Sequence, residues 1–306
     1  MRTLRFHSYG KAADVLRLED AESPRPGAGQ IRIAVAACGV NPADWALCEG
    51  LFPGELPRGI GLEVSGTVDA VGEGVTGVEI GDAVFGPAPF TGPTAGASEQ
   101  AVLELWFPRP SGLDAVAAAA LPMAVGAAYP ALDVLGVGAG TTVLVNGAGT
   151  TTGYAAAQIA LQRGARVIAT AGATYADALR TAGAAVTSYG DGVAGRVTAL
   201  AGGPVDAVLN AAPPSGVLPE LVRTVEQPGN VLTFNDFEVA ADLGVRTVFG
   251  AGAGPRYDVL GEFAQLASEG RFSVAVARTF PLEDWHAALE LSQSGRAGGK
   301  PVLRIG

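Results

Sequence analysis

The sequence predicts an α/β fold: a doubly wound parallel sheet inserted into a β-rich module. Three observations carry that reading. A glycine turn joins an apolar strand to a helix at residues 142–160, strands and helices then alternate as far as residue 234, and short strands cut by glycine and proline occupy both ends of the chain. Thr142-Val143-Leu144-Val145 is apolar and rich in β-branched residues, the pattern of a strand buried on both faces. It passes through Asn146 into Gly147-Ala148-Gly149-Thr150-Thr151-Thr152-Gly153, and residues 154–160 then read as helix. Such a turn gathers backbone N–H groups at a helix N-terminus, where the macrodipole favours an anion such as a pyrophosphate. The turn has one residue more than G-x-G-x-x-G, so the strands and helices downstream of it decide its meaning.

Residues 164–172 read as a second buried strand, and 185–188, 205–210 and 230–234 as three more, with helices predicted at 174–182, 193–200 and 217–226. Alternation of this kind gives a parallel sheet with its ligand crevice at the carboxyl ends of the strands. At the end of the second strand, an Asp or Glu would bond the ribose 2′-hydroxyl of NAD. This chain has Thr170, Ala171, Gly172, Ala173 and Thr174 there, with no acid before Asp177. Nothing repels a 2′-phosphate, so NADP(H) is expected over NAD(H), although no Arg or Lys stands at those positions to pair it.

Composition narrows the function class. A net charge of −10 with no basic stripe argues against nucleic acid and anionic membrane surfaces. The apolar run from Ala115 to Ala128 is too short to span a bilayer and contains Pro122 and Gly126. Met1-Arg2-Thr3-Leu4-Arg5 leads directly into a strand pattern with no signal peptide, so a soluble cytoplasmic protein acting on a small molecule is expected. With two cysteines, Cys38 and Cys48, and two histidines, His7 and His286, no structural zinc site is expected, and the thiols are read as unpaired.

Outside the middle of the chain, residues 30–37, 62–71 and 82–85 read as short strands. The β pattern returns at 272–277, with a helix over 282–294 and a strand over 300–305 after it. The simplest organisation joins 1–118 and 268–306 into one β-rich domain, with 119–267 as the inserted dinucleotide domain and substrate in the cleft between them.

These ends carry a resemblance. Ala36-Ala37-Cys38-Gly39-Val40-Asn41-Pro42-Ala43-Asp44, residues 57–66, 68–75 and 81–86, Ala119-Ala120-Leu121-Pro122 and Gly298-Gly299-Lys300-Pro301-Val302-Leu303 together resemble the medium-chain dehydrogenases/reductases, in order and over nearly the whole chain. Within that superfamily the chain resembles the zinc-free quinone oxidoreductase (zeta-crystallin-like) branch. Asn41 and Leu62 stand where zinc alcohol dehydrogenases have a ligand cysteine and histidine, and the structural zinc lobe is missing. The resemblance implies a Rossmann domain inserted in a GroES-like catalytic domain. It also implies a homodimer and NADPH-dependent reduction of a quinone or of an alkene conjugated to a carbonyl.

On this reading Asn41 offers an amide donor to the oxyanion formed after hydride transfer, while Asp44 orients it or a water. The alternative for the pair is a turn at Asn41-Pro42 with Asp44 capping the next helix. Trp45, Phe52 and Tyr129 form an apolar wall for substrate, or else belong to the core. Cofactor contacts are expected from Gly147, Ala148, Gly149, Thr150, Thr151, Thr152 and Gly153, then Thr170, Ala171 and Gly172, then Tyr189, Asn210, Ala211 and Phe234. The chain departs from its relatives at Thr150, where they carry a glycine that lets the pyrophosphate approach, and at Ala176, near which they carry a basic residue. Ala46, Cys48 and Ala127 replace polar groups of the relatives, which favours a bulky apolar substrate. The same fold used for cyclisation or elimination, or as a non-catalytic scaffold, is the alternative.

Overall fold

Six parallel strands form the sheet of the middle unit, in the order Ala185–Thr187, Arg166–Thr170, Thr142–Asn146, Ala207–Asn210, Val231–Thr233 and Arg246–Thr247. The computed structural model describes every residue except Ala251 and Ala253, and the chain divides into Ala124–Arg256 and a second unit made of Met1–Met123 with Tyr257–Gly306. The first of these six strands in sequence, Thr142–Asn146, lies in the centre of the sheet, and the winding direction reverses between it and Ala207–Asn210. That reversal is the switch point at which doubly wound sheets bind ligands. Val143, Leu144 and Val145 are fully buried. Each such side chain contributes roughly 1.5–3 kcal/mol by leaving water. Helix Thr151–Gln162 lays Ala155, Ala156, Ala157, Ile159 and Ala160 inward, and the small side chains let its backbone run close to the sheet.

The sixth strand, Arg246–Thr247, and the helix Phe237–Leu243 before it were not expected from sequence. A two-residue strand is too short to show a period. The expected helix over 217–226 is confined to Leu218–Val222.

In the other unit, strand Arg2–Phe6 pairs antiparallel with Leu16–Asp20 and Arg58–Gly59. A larger sheet runs in the order Val276–Pro281, Lys300–Arg304, Ile31–Gly39, Glu63–Val71, Ala83–Pro87 and Phe107–Pro108, with Gln100–Leu103 also on Ile31–Gly39. Its core includes Leu4, Phe6, Leu16, Ile31, Ile33 and Trp285. Gly66 faces Val35, and a Cβ there would lie 2.2 Å from the Ala34 carbonyl oxygen, so only glycine fits this register.

The expected boundaries at 118/119 and 267/268 move to 123/124 and 256/257. Helix Leu260–Ser268 packs on strand Phe107–Pro108, with Phe263 edge-on to Phe272 at 4.9 Å, and so joins the β-rich unit. Phe272 serves that contact rather than a strand over 272–277. The strand begins at Val276, and the expected helix over 282–294 resolves into a 3₁₀ turn and Trp285–Gln293. Among the described residues, no helix is long and apolar enough to cross a membrane.

Candidate functional site

A line of buried polar side chains crosses the carboxyl ends of four parallel strands. The Gly147 N–H donates to Thr170 Oγ1 at 2.8 Å, and the Thr170 hydroxyl donates to Asn146 Oδ1 at 2.8 Å. Asn146 Nδ2 donates to Asn210 Oδ1 at 2.8 Å, and Asn210 Nδ2 to Thr233 Oγ1 at 3.0 Å. The Thr233 hydroxyl ends the line on the Asn235 carbonyl at 2.8 Å. Asn146, Thr170, Asn210 and Thr233 are all buried. Thr170 and Asn210, expected as cofactor contacts, therefore spend their side chains inside the protein and shape the edge from beneath.

The glycine turn rests on this line. Thr170 takes two successive N–H groups, that of Gly147 on its hydroxyl and that of Ala148 on its carbonyl at 2.9 Å. Gly147 has φ +79, and a Cβ there would stand 2.4 Å from the Ala212 nitrogen, so glycine is required twice over. A Cβ on Gly153 would meet the Gly147 carbonyl oxygen at 2.2 Å. Thr150 is the N-cap of helix Thr151–Gln162. Its hydroxyl donates to the Gly147 carbonyl at 2.9 Å and accepts the Gly153 N–H at 3.1 Å. Thr150, expected as a cofactor contact, thus spends its hydroxyl on the helix cap. Among the described residues, the N–H groups of Gly149, Thr151 and Thr152 donate to no protein atom. Half-buried at a helix N-terminus, they make a cradle suited to an anion.

Beside the end of the second strand lies a cavity of about 490 Å³, lined among others by Ala171, Ala173, Ala176, Asp177, Arg180 and Ser188. Arg180 pairs with Asp177 at 2.8 Å. Ala173, Ala176, Asp177 and Arg180 share one helix face by their i, i+3, i+4, i+7 spacing. That spacing was visible in the sequence and puts Arg180 one helical turn beyond Ala176 on the same cavity wall. Gly172 precedes this helix as its N-cap, and a Cβ there would be 3.8 Å from the ring of Tyr189, which is largely exposed. Ala211 is buried and Phe234 half-buried, each just beyond a strand end. The rings of Tyr175 and Tyr154 pack tilted at 5.1 Å next to the turn.

The β-rich unit holds a second buried polar cluster. Asn41 Nδ2 donates to Glu63 Oε1 at 2.9 Å, and Lys300 Nζ donates to Asn41 Oδ1 at 2.5 Å and to Glu63 Oε1. Glu63 also accepts the Met123 N–H at 2.8 Å. Glu63 and Lys300 are almost wholly buried. Both lie in segments that carry the family resemblance and had no role assigned from sequence, although a charge inside an otherwise apolar strand is rarely buried without a partner. Asn41 keeps one amide hydrogen for another acceptor. Tyr257 lies nearby, its hydroxyl 3.7 Å from Met123 Sδ. Burial, with a smaller contribution from Glu63, lifts it to about 12, so it stays protonated.

Asp44 is bound to backbone. Its carboxylate accepts the N–H of Asn41 and that of Gly61, each at 2.7 Å, and closes the start of helix Pro42–Cys48. Burial raises its carboxyl from 3.8 to about 6 against the lowering effect of those two bonds. Trp45 is half-buried, packs on the core and donates its Nε1–H to Ser292 at 3.3 Å. Tyr129 lies in the other unit with Arg163 at 4.1 Å and Arg256 at 5.3 Å from its ring centre, both arginines paired with Asp133. Its ring serves that cation–π stack. Phe52 is half-exposed at φ +55. Arg58, buried, donates to the Phe52 carbonyl at 2.6 Å and the Phe90 carbonyl at 2.9 Å, and the two phenyl rings are 6.4 Å apart. Cys38 and Cys48 are buried and unpaired.

Two family models match the chain: the alcohol dehydrogenase GroES-like domain over residues 27–106 and the zinc-binding dehydrogenase over residues 183–303. The quinone oxidoreductase of Coxiella burnetii superposes with a TM-score of 0.84 at 28% identity, covering 100% of this chain and 99% of that one. The chain belongs to the medium-chain dehydrogenase/reductase superfamily, in its quinone oxidoreductase branch. The chain also resembles a mycobacterial protein solved in complex with NADPH, with a TM-score of 0.81 at 26% identity over 99% of each chain. Among curated proteins it is 32% identical over 97% of its length to NorB of the spectinabilin polyketide synthase system of Streptomyces orinoci, and spans 14% of that protein. The matched model's zinc finds no fitting ligand set here. Leu62 is apolar, Asn41 is occupied by Lys300 and Glu63, and no group of three or more potential ligands occurs among the described residues.

Both buried carboxylates of the β-rich unit give measurable expectations. Lys300→Met strands the Glu63 carboxylate and is expected to lower unfolding free energy in urea by about 3–5 kcal/mol. Asp44 holds a proton in the native state between pH 4 and 6 that the unfolded chain has released, so its contribution to stability is present below about pH 4 and lost as pH rises through 6. The stability of wild type relative to Asp44→Asn, measured by denaturant titration, is expected to fall between pH 4 and pH 7.

Proposed function

We propose that this oxidoreductase is a zinc-independent, NADPH-dependent reductase. Its substrate is a quinone or an alkene conjugated to a carbonyl, with bulky apolar substrates favoured. The observation that carries the reading is the free N–H array of Gly149, Thr151 and Thr152 beside a second-strand end that has Arg180 and lacks a ribose-binding carboxylate. Those N–H groups would hold the pyrophosphate, and Arg180 the 2′-phosphate, for which it must leave Asp177. When bound, NADPH supplies the hydride. The remaining amide hydrogen of Asn41 is the donor available to a substrate oxygen, and Tyr257 carries a proton through the neutral range. The NADPH complex of one structural relative and the quinone-reducing name of another support the same reading.

We further place the enzyme in the cytoplasm as a homodimer, with no nucleic-acid or membrane partner. The exposed Phe237, Val239 and Phe249, with Phe237 and Phe249 at 5.4 Å, lie near the edge strand Arg246–Thr247 and favour a paired edge.

Titration monitored by nicotinamide fluorescence tests the cofactor reading. NADPH is expected to bind about tenfold or more tightly than NADH, the worth of one charge-assisted hydrogen bond. Arg180→Ala should erase that preference and Asp177→Asn increase it, each leaving NADH affinity unchanged. Equal affinity for the two cofactors in wild type would refute the assignment to NADPH.

A further inference from the structure

The line of hydrogen bonds beneath the strand ends can run in only one direction. It begins at the Gly147 N–H, which can only donate, and ends at the Asn235 carbonyl, which can only accept. Every hydroxyl and amide between them is then fixed in orientation: Thr170 must donate to Asn146, Asn146 to Asn210, and Asn210 to Thr233. Asn235 Nδ2 closes back on the Ala212 carbonyl at 2.9 Å, in the same loop whose nitrogen abuts Gly147. Both ends of the line therefore bear on one turn.

We propose that Thr170 and Asn146 are positioning residues for the nucleotide. They act through Gly147 to aim the N–H groups of Gly149, Thr151 and Thr152. This inference rests on the nucleotide reading above. Thr170 alone receives the first two N–H groups of the turn, one on its side chain and one on its carbonyl. Without the hydroxyl, the Gly147 N–H is left without an acceptor below the surface, and rotating that peptide to find one turns Ala148 and Gly149 with it. Gly147 has no lateral freedom to absorb the change, because the Ala212 backbone stands against it. The line touches the pyrophosphate cradle and not the cavity that holds Arg180, so it governs affinity for any ligand carrying a pyrophosphate and leaves selectivity for the 2′-phosphate alone.

The test uses Thr170→Val, which keeps the shape, Thr170→Ser, which restores the hydroxyl, and Thr233→Val at the far end. Dissociation constants of the full chain for NADPH, NADH and ADP-ribose are measured calorimetrically, well below the melting temperature. Thr170→Val is expected to weaken all three by the same factor of roughly ten, with the NADPH/NADH ratio unchanged and Thr170→Ser close to wild type. Thr233→Val should weaken them by a smaller common factor. If the valine variant does not fold, Thr170→Ala makes the same deletion with less bulk. Wild-type affinity in a folded Thr170→Val or Thr170→Ala variant overturns the proposal, as does a loss confined to NADPH. Wild-type protein that binds none of the three removes the nucleotide reading itself, and this inference with it.

Discussion

A buried hydrogen bond with no alternative partner acts as a constraint on geometry, and five of them in series lie under the carboxyl edge of the parallel sheet. Four strands end at the same level because Thr170, Asn146, Asn210 and Thr233 each need a neighbour to complete their bonding. A one-residue slip of any strand would leave two polar groups orphaned in the core, at about 1–3 kcal/mol each. Strand register, the left-handed glycine and the start of the helix after it all depend on this alignment. The exposed product is small: three N–H groups at a helix N-terminus.

The β-rich unit solves a similar problem with charge. Glu63 and Lys300 neutralise each other among Asn41 and the Met123 N–H, while Asp44 is held by backbone donors alone. Such a cluster is stabilising only while complete, since removing one partner leaves an ion buried and uncompensated at a cost of about 3–5 kcal/mol. It also restrains Asn41, whose amide has only its second hydrogen left for another acceptor. Asp44 and Trp45, three and four residues further on, belong to the frame that holds that amide in place.

Much of this was legible in the sequence. Apolar β-branched runs marked the five longer strands of the parallel sheet, and the glycine turn marked the helix N-terminus, because both signals are local. The partners of buried polar residues were not legible. Thr170 and Asn210 looked like ligand contacts, since nothing in a linear sequence says that their side chains face each other through Asn146. Thr150 looked like an obstacle to the cofactor, yet its hydroxyl caps the helix from within. Trp45 and Tyr129 were ambiguous between wall and core for the same reason: an aromatic side chain shows its burial but not its neighbours. Arg180 was missed for a different cause, a search at one position where the helix face extended one turn further.

On the proposed reading, the N–H groups of Gly149, Thr151 and Thr152 hold a pyrophosphate. Amide ¹H–¹⁵N spectra of the protein titrated with ADP-ribose test it directly. The largest shifts are expected at those three amides, with the Gly147 and Ala148 signals, already bonded to Thr170, moving far less. Saturable binding that leaves Gly149, Thr151 and Thr152 unshifted would contradict it.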